Sequence, residues 1–184
     1  MTQKQTIVLI AGIAAIPVLA IIGVAIFMVT QGNLKIGSSA ISNFEECAAS
    51  GQPVMESYPR QCSYAGQTYS EDIGNILEKQ DLIRVTNVTP NQTISSPVAI
   101  TGEARGTWFF EASFPITVED ENGNQIGLGI ATATSDWMTE NFVPFTASIS
   151  FTTPTTSRGT LIFHKDNPSG LPENDDTLEI PVIF

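Results

Sequence analysis

One histidine stands in the 184 residues, and it runs straight into an acidic loop within the closing stretch "FHKDNPSGLPENDDTLEIPVIF". Two kinds of chemistry use such a stretch. A histidine oriented by a carboxylate can serve as general base to a nucleophile. Asp166, Asn167, Glu173, Asp175 and Asp176 offer hard oxygens of the type calcium gathers in sets of about six to eight. Catalysis lacks its other parts, because no G-x-S-x-G turn is present and alternation puts His164 with Thr160 and Ile162, opposite Leu161 and Phe163. That side is expected to face solvent. The loop also has an architectural reading. Asp166 and Asn167 suit turns closed by their own side chains, Pro168 and Pro172 stiffen the path, and Gly170 allows a positive φ. The spacing fits no EF-hand, so turn chemistry leads, with a calcium site or a partner contact through the acids as alternatives. No other cofactor is expected.

A second candidate group is aromatic and cationic. Trp108, Phe110 and Phe114 share one face if "WFFEASFPITVED" is a single strand, with Phe109 on the other, and Trp137 follows a later turn. Core packing is the ordinary use of such residues in a sandwich. The alternative is a binding patch formed by Arg105, Trp108 and Trp137, in which an exposed indole beside a guanidinium stacks on a sugar or docks a peptide. Arg105 could instead pair with Glu103, Glu111 or the acidic loop.

The third group is a cysteine pair, Cys47 and Cys62, fifteen positions apart. A redox pair would favour C-x-x-C, and zinc would need ligands that are not there. A structural disulfide closing this loop is expected to contribute ~3 kcal/mol through chain entropy. It would staple a segment too small to bury much core, and disulfides persist in oxidising compartments.

The elements that must position these groups fall into three parts. Residues 1–35 contain Thr6 to Thr30, 25 positions without a charge; at ~1.5 Å per residue that helix would span about 37 Å, against a bilayer core of ~30 Å. An uncleaved signal anchor is expected, since the run exceeds the ~7–15 apolar residues of a cleavable signal peptide. Residues 36–81 form the stapled juxtamembrane segment and a linker in which Ile73, Ile76 and Leu77 share a helical face. Residues 82–184 switch to period two: "LIRVTNV", "VAITGEA", "WFFEASFPITVED", "QIGLGIATATS", "FTASISF", "GTLIFHK" and "TLEIPVIF". Asn122-Gly123 marks a hairpin. Seven short strands with turns at roughly 8–14-residue intervals predict an immunoglobulin-like β-sandwich, so the chain is mainly β. Pro181 points to an edge position or a bulge in the last strand.

Charge narrows the partners. Beyond residue 35, six Lys and Arg face nineteen Asp and Glu, a formal balance of −13. This acidity argues against nucleic acid and anionic lipid surfaces as partners, because both need clustered basic residues.

"GEARGTWFFEASFPITVEDENGNQIGLGIATATSDWM", "FVPFTASISF" and "GTLIFHKDNPSGLPENDDTLEIPV" closely resemble the immunoglobulin-like domain associated with bacterial spore germination, over about residues 83–184. The resemblance implies an extracytoplasmic domain beside a membrane anchor or other envelope domains, and no enzyme activity. Together with the apolar run, it leads to a single-pass cell-membrane protein whose C-terminal domain binds a protein or cell-wall component outside. A subunit of a pilin-like envelope assembly, or a cation-dependent surface binder, is the alternative.

Overall fold

The computed structural model describes residues 41–184, and the expected membrane helix lies outside them. Among the described residues no helix is long and apolar enough to cross a membrane. Residues 42–184 form one compact unit.

The stapled segment is organised from its first turn. Asn43 caps helix α1, Phe44–Ala49, by accepting from the Glu46 N–H at 2.8 Å, while the Glu46 carboxylate reaches back to the Ser42 N–H at 2.7 Å. This reciprocal arrangement satisfies donors that a helix start leaves free, and Glu45 and Glu46 complement the helix dipole there. Gly51, at φ +82°, takes the chain out of the helix. Strands β1 (Val54–Met55), β2 (Gln61–Tyr64) and β3 (Gln67–Ser70) form an antiparallel sheet in that order. Ala65 and Gly66 turn β2 into β3, both at positive φ, as a two-residue hairpin loop matched to strand twist requires. Cys47 on α1 and Cys62 on β2 are bonded, with Cα atoms 6.0 Å apart and both residues fully buried.

The linker is not loose. Helix α2, Ile76–Lys79, follows directly on β3 and its turn; Ile73 is buried, Ile76 packs on the core, and Leu77 is left exposed.

The sandwich begins at β4 (Ile83–Val85) and continues through β5 (Gln92–Thr93), β6 (Val98–Arg105), β7 (Ser113–Asp120), β8 (Gln125–Ala133), β9 (Phe142–Ile149), β10 (Arg158–His164) and β11 (Thr177–Ile183). Seven of these are the strands expected from alternation; β5 is the addition. The order is β4-β6-β9-β8-β7-β10-β11-β5. β8 and β9 pair only at Thr132↔Thr146 and Ala133↔Phe145. The succession folds over at this short seam, giving a layer β4-β6-β9 against a layer β8-β7-β10-β11-β5. Phe145 of the first layer meets Phe114 and Phe163 of the second, with ring centroids 5.0 and 6.5 Å apart. Gly102 is required beside them, since a Cβ there would fall 2.6 Å from the Phe145 ring.

The outer margin of β11 is closed residue by residue. Asn75 donates through Nδ2 to the Thr177 carbonyl (2.9 Å), accepts from the Glu179 N–H (2.7 Å), and donates its own N–H to the Glu179 carbonyl (3.4 Å). The Asn91 N–H reaches the Pro181 carbonyl at 2.8 Å and Ile94 reaches Ile183 at 2.9 Å, flanking the parallel pairing of Gln92 and Thr93 with Val182 and Ile183. The expected edge position is corrected: β11 lies between β10 and the short β5, which pairs with it only beyond Pro181, so the missing N–H of Pro181 breaks no ladder bond to β5. Gly74 makes the approach workable, because a Cβ at that position would lie 2.0 Å from the Glu179 carbonyl oxygen.

One expected strand is corrected. "WFFEASFPITVED" is not continuous: Gly106–Trp108 is a 3-10 turn and Glu111 and Ala112 take positive φ before β7 begins at Ser113. The interruption shifts the face assignment. Trp108, Phe109 and Phe114 are buried, whereas Phe110 is exposed.

Candidate functional site

The acidic loop is built around Asn167. Its Nδ2 donates to the Leu171 carbonyl at 2.8 Å and to Asp175 Oδ1 at 2.7 Å, while its Oδ1 accepts from the Ser169 N–H and hydroxyl. Gly170 supplies a positive φ of 64°. Asp176 leaves the group to pair with Lys79 at 2.5 Å and to accept from the Thr177 N–H. Asp166 is fixed through its backbone, which donates to the Trp108 carbonyl at 3.0 Å, and Glu173 lies in a 3-10 turn. Of the alternative calcium ligands Asp166, Asn167, Glu173, Asp175 and Asp176, Asn167 and Asp175 meet in a hydrogen bond while Asp176 turns to Lys79. Among the described residues no group of three His, Cys, Asp or Glu side chains is placed to hold a metal. Turn chemistry accounts for the loop.

The Arg105–Trp108–Trp137 patch is also corrected. Trp108 is 2% exposed, with its indole inside the core. Trp137 packs half-buried against the same core. Its loop presses on the start of the 3-10 turn so closely that a Cβ on Gly106 would lie 2.3 Å from the Trp137 carbonyl. Arg105 pairs with neither Glu103 nor Glu111. It donates to the carbonyls of Asp81 (2.9 Å) and Glu140 (3.3 Å) and lies 4.1 Å from the Phe142 ring. Arg84 stacks on the same ring at 4.1 Å and is the residue that binds Glu103, at 3.1 Å. These contacts tie down one end of the sandwich and expose no indole.

His164 lies on the predicted side of β10, but half-buried. Its Nε2 is 2.9 Å from the Thr117 hydroxyl, and Thr117 is itself buried on the outer face of β7. Burial holds the imidazole below its ordinary pKa, against the opposing pull of Glu119, Glu179 and Asp175. No carboxylate is hydrogen-bonded to the ring among the described residues.

Around this pair lies a feature that alternation alone does not expose. Gly127 and Gly129 of β8 point into the sandwich, where Cβ atoms would fall 2.7 Å from Phe151 Cβ and 2.5 Å from Ile149 Cγ1. The bulky partners of that strand are consequently turned outward: Leu128 is 58% and Ile130 53% exposed. Ile130 stands opposite Pro115, and Leu128 opposite Thr117, which in turn faces Ile162. The next row, Glu119 and Thr160 with Pro181, leads into a cavity of about 360 Å³ walled by Asp72, Glu119, Asp120, Glu121 and Arg158. The signal was present in "IGLGI", where small and bulky residues alternate with nothing to say which set faces inward.

The remaining chemistry is structural. Glu71, 9% exposed, receives Arg60 through Nε at 2.8 Å and NH2 at 2.6 Å, and Asn91 Nδ2 at 3.3 Å. Arg158 continues the chain to Asn91 at 3.3 Å and Glu45 at 3.2 Å. This network joins the stapled segment to the sandwich, and separations of 11 to 67 positions put it out of reach of local pattern. Of the two Asn-x-Thr sequences, Asn87 is spent on the Ala99 carbonyl and the Thr101 N–H, and Asn91 on the network just described.

Two facing sheet layers with loops gathered at their ends define an immunoglobulin-like sandwich. Residues 82–170 match the family model Gmad2, the immunoglobulin-like domain of bacterial spore germination. No curated protein and no solved structure is significantly similar to the chain.

Proposed function

We propose that the chain is a binding module of the bacterial cell envelope, held at the membrane by its N-terminal apolar run and displaying the germination-type immunoglobulin-like domain on the outer side. The family association supports a role connected with germination. The observation that carries the address is the Cys47–Cys62 bond, whose residues are 0% exposed and which leaves no free cysteine among the described residues. A buried cross-link of this kind belongs to oxidising compartments and is rare in the cytosol. The network through Arg60, Glu71 and Asn91 supports display rather than tethering by a loose linker, since segment and sandwich are one unit. Work of this sort falls to sheet faces and end loops, and the fold by itself names no ligand.

The test is protease treatment of intact cells together with thiol labelling under denaturing conditions. Loss of the sandwich to external protease, with both cysteines unlabelled until reduction, is the expected result. A protected sandwich or reduced thiols would sink the reading.

A further inference from the structure

We propose that the outer face of β8, β7 and β10 is a docking surface for a protein segment that presents aliphatic side chains followed by a lysine or arginine. This rests on the binding-module reading and supplies the partner's chemistry. Three observations meet at this face. The inward glycines of β8 turn Leu128 and Ile130 into solvent, Ile130 beside Pro115 and Leu128 beside the buried Thr117 with Ile162 beyond it, so that aliphatic side chains form a strip around Thr117. Large aliphatic groups held together in water mark interaction surfaces. The strip runs into the acidic cavity at the β7–β8 hairpin.

The acids at that end differ in their commitments. Asp120 is spent on its own turn, accepting from Asn122 and Asn124, and Asp72 accepts from the Gly74 N–H. Glu119 and Glu121 have no side-chain hydrogen bond or ion pair among the described residues, although Glu119 acts on His164 through space, while the one cation in the wall, Arg158, is taken by Glu45 and Asn91. The cavity thus offers uncompensated negative charge to an incoming cation beside an apolar strip. The same charges disfavour a second copy of this chain, because facing copies would bring like carboxylates together. A basic, aliphatic segment satisfies both halves of the surface.

The experiment uses the full chain in detergent micelles and two labelled dodecapeptides, one alternating Val with Lys and the other alternating Val with Glu. Fluorescence anisotropy should show saturable binding of the lysine peptide only, weakening as salt rises. The paired substitution Leu128→Ser with Ile130→Ser should weaken it at least about tenfold, and Glu119→Gln with Glu121→Gln should weaken it independently. A photo-crosslinker replacing Leu128 should capture the peptide even if the serine variant folds poorly. Equal binding by wild type and both variants, binding of both peptides alike, or no binding overturns the proposal. So does sedimentation showing self-association that Leu128→Ser abolishes, which would make a second copy the occupant. The peptide result is independent of cellular address, so failure here and failure of protease shaving are distinguishable.

Discussion

Arg60 grips the buried carboxylate of Glu71 with two parallel hydrogen bonds, 2.8 Å from Nε and 2.6 Å from NH2, and Asn91 approaches the same carboxylate from the sandwich. The Arg60 hydrogen bond is the main reason the Glu71 pKa is depressed, and it outweighs the opposing effect of burial. Glu71→Gln keeps the shape but loses the charge-assisted pair. The expected cost is about 1–2 kcal/mol, reduced from the range for fully enclosed pairs because Arg60 is half-exposed. Urea denaturation with the disulfide intact measures it. A double-mutant cycle with Asn91→Ala should show coupling, as residues sharing one network do.

Acid lability should come in two windows. His164 has its pKa lowered from 6.5, first by burial, so the unfolded chain binds its proton more readily than the folded one. Stability from the neutral imidazole is present above about pH 6.5 and is lost as pH falls through the lower folded value. Glu71, lowered from 4.5, contributes stability above that pH and loses it on further acidification. Thermal melts of wild type against His164→Gln should diverge in the upper window, and the variant should be flat there.

Reduction should be slow without unfolding. Cys47 and Cys62 are both 0% exposed, so thiol exchange needs the segment to open first. Dithiothreitol in native buffer is expected to leave the bond intact for long periods and to break it quickly in denaturant. Replacing both cysteines with serine should cost ~2–4 kcal/mol in calorimetry.

Ala65 carries a local strain that can be removed. It adopts φ 51° in the two-residue turn before Gly66, a region where a Cβ costs about 1–2 kcal/mol. Ala65→Gly should raise stability by roughly 0.5–1 kcal/mol after the glycine's larger unfolded-state entropy is deducted. An unchanged or lowered melting temperature would contradict this account of the hairpin.

Alternation revealed most of the sandwich because its strands are wet on one side: β6, β9, β10 and β11 each bury every second residue or nearly so. It misplaced Phe109 and Phe110 because Glu111 and Ala112 enter positive φ without a glycine to announce it. Core packing, the leading reading for Trp108, holds, and the alternative patch fails because the same turn buries that side chain. The acidic loop was half legible: Asn167 and Gly170 signal a turn, but Asp176 is drawn aside by Lys79, which arrives from α2. The outward Leu128 and Ile130 were hidden for a different reason. Which side of "IGLGI" enters the core is decided by Phe151 and Ile149 across the fold, not by anything within β8.

The family match begins at residue 82, yet Asn75, seven residues earlier, carries three of the bonds that blunt the last long strand. Excising the domain at that boundary would bare a run of hungry peptide groups along Thr177–Glu179. Such rims zip onto one another and grow into aggregates. A version starting at Leu82 should therefore clump in light scattering while one starting at Ser42 stays monodisperse, and the smallest unit that behaves as a free body is larger than the homology alone would draw.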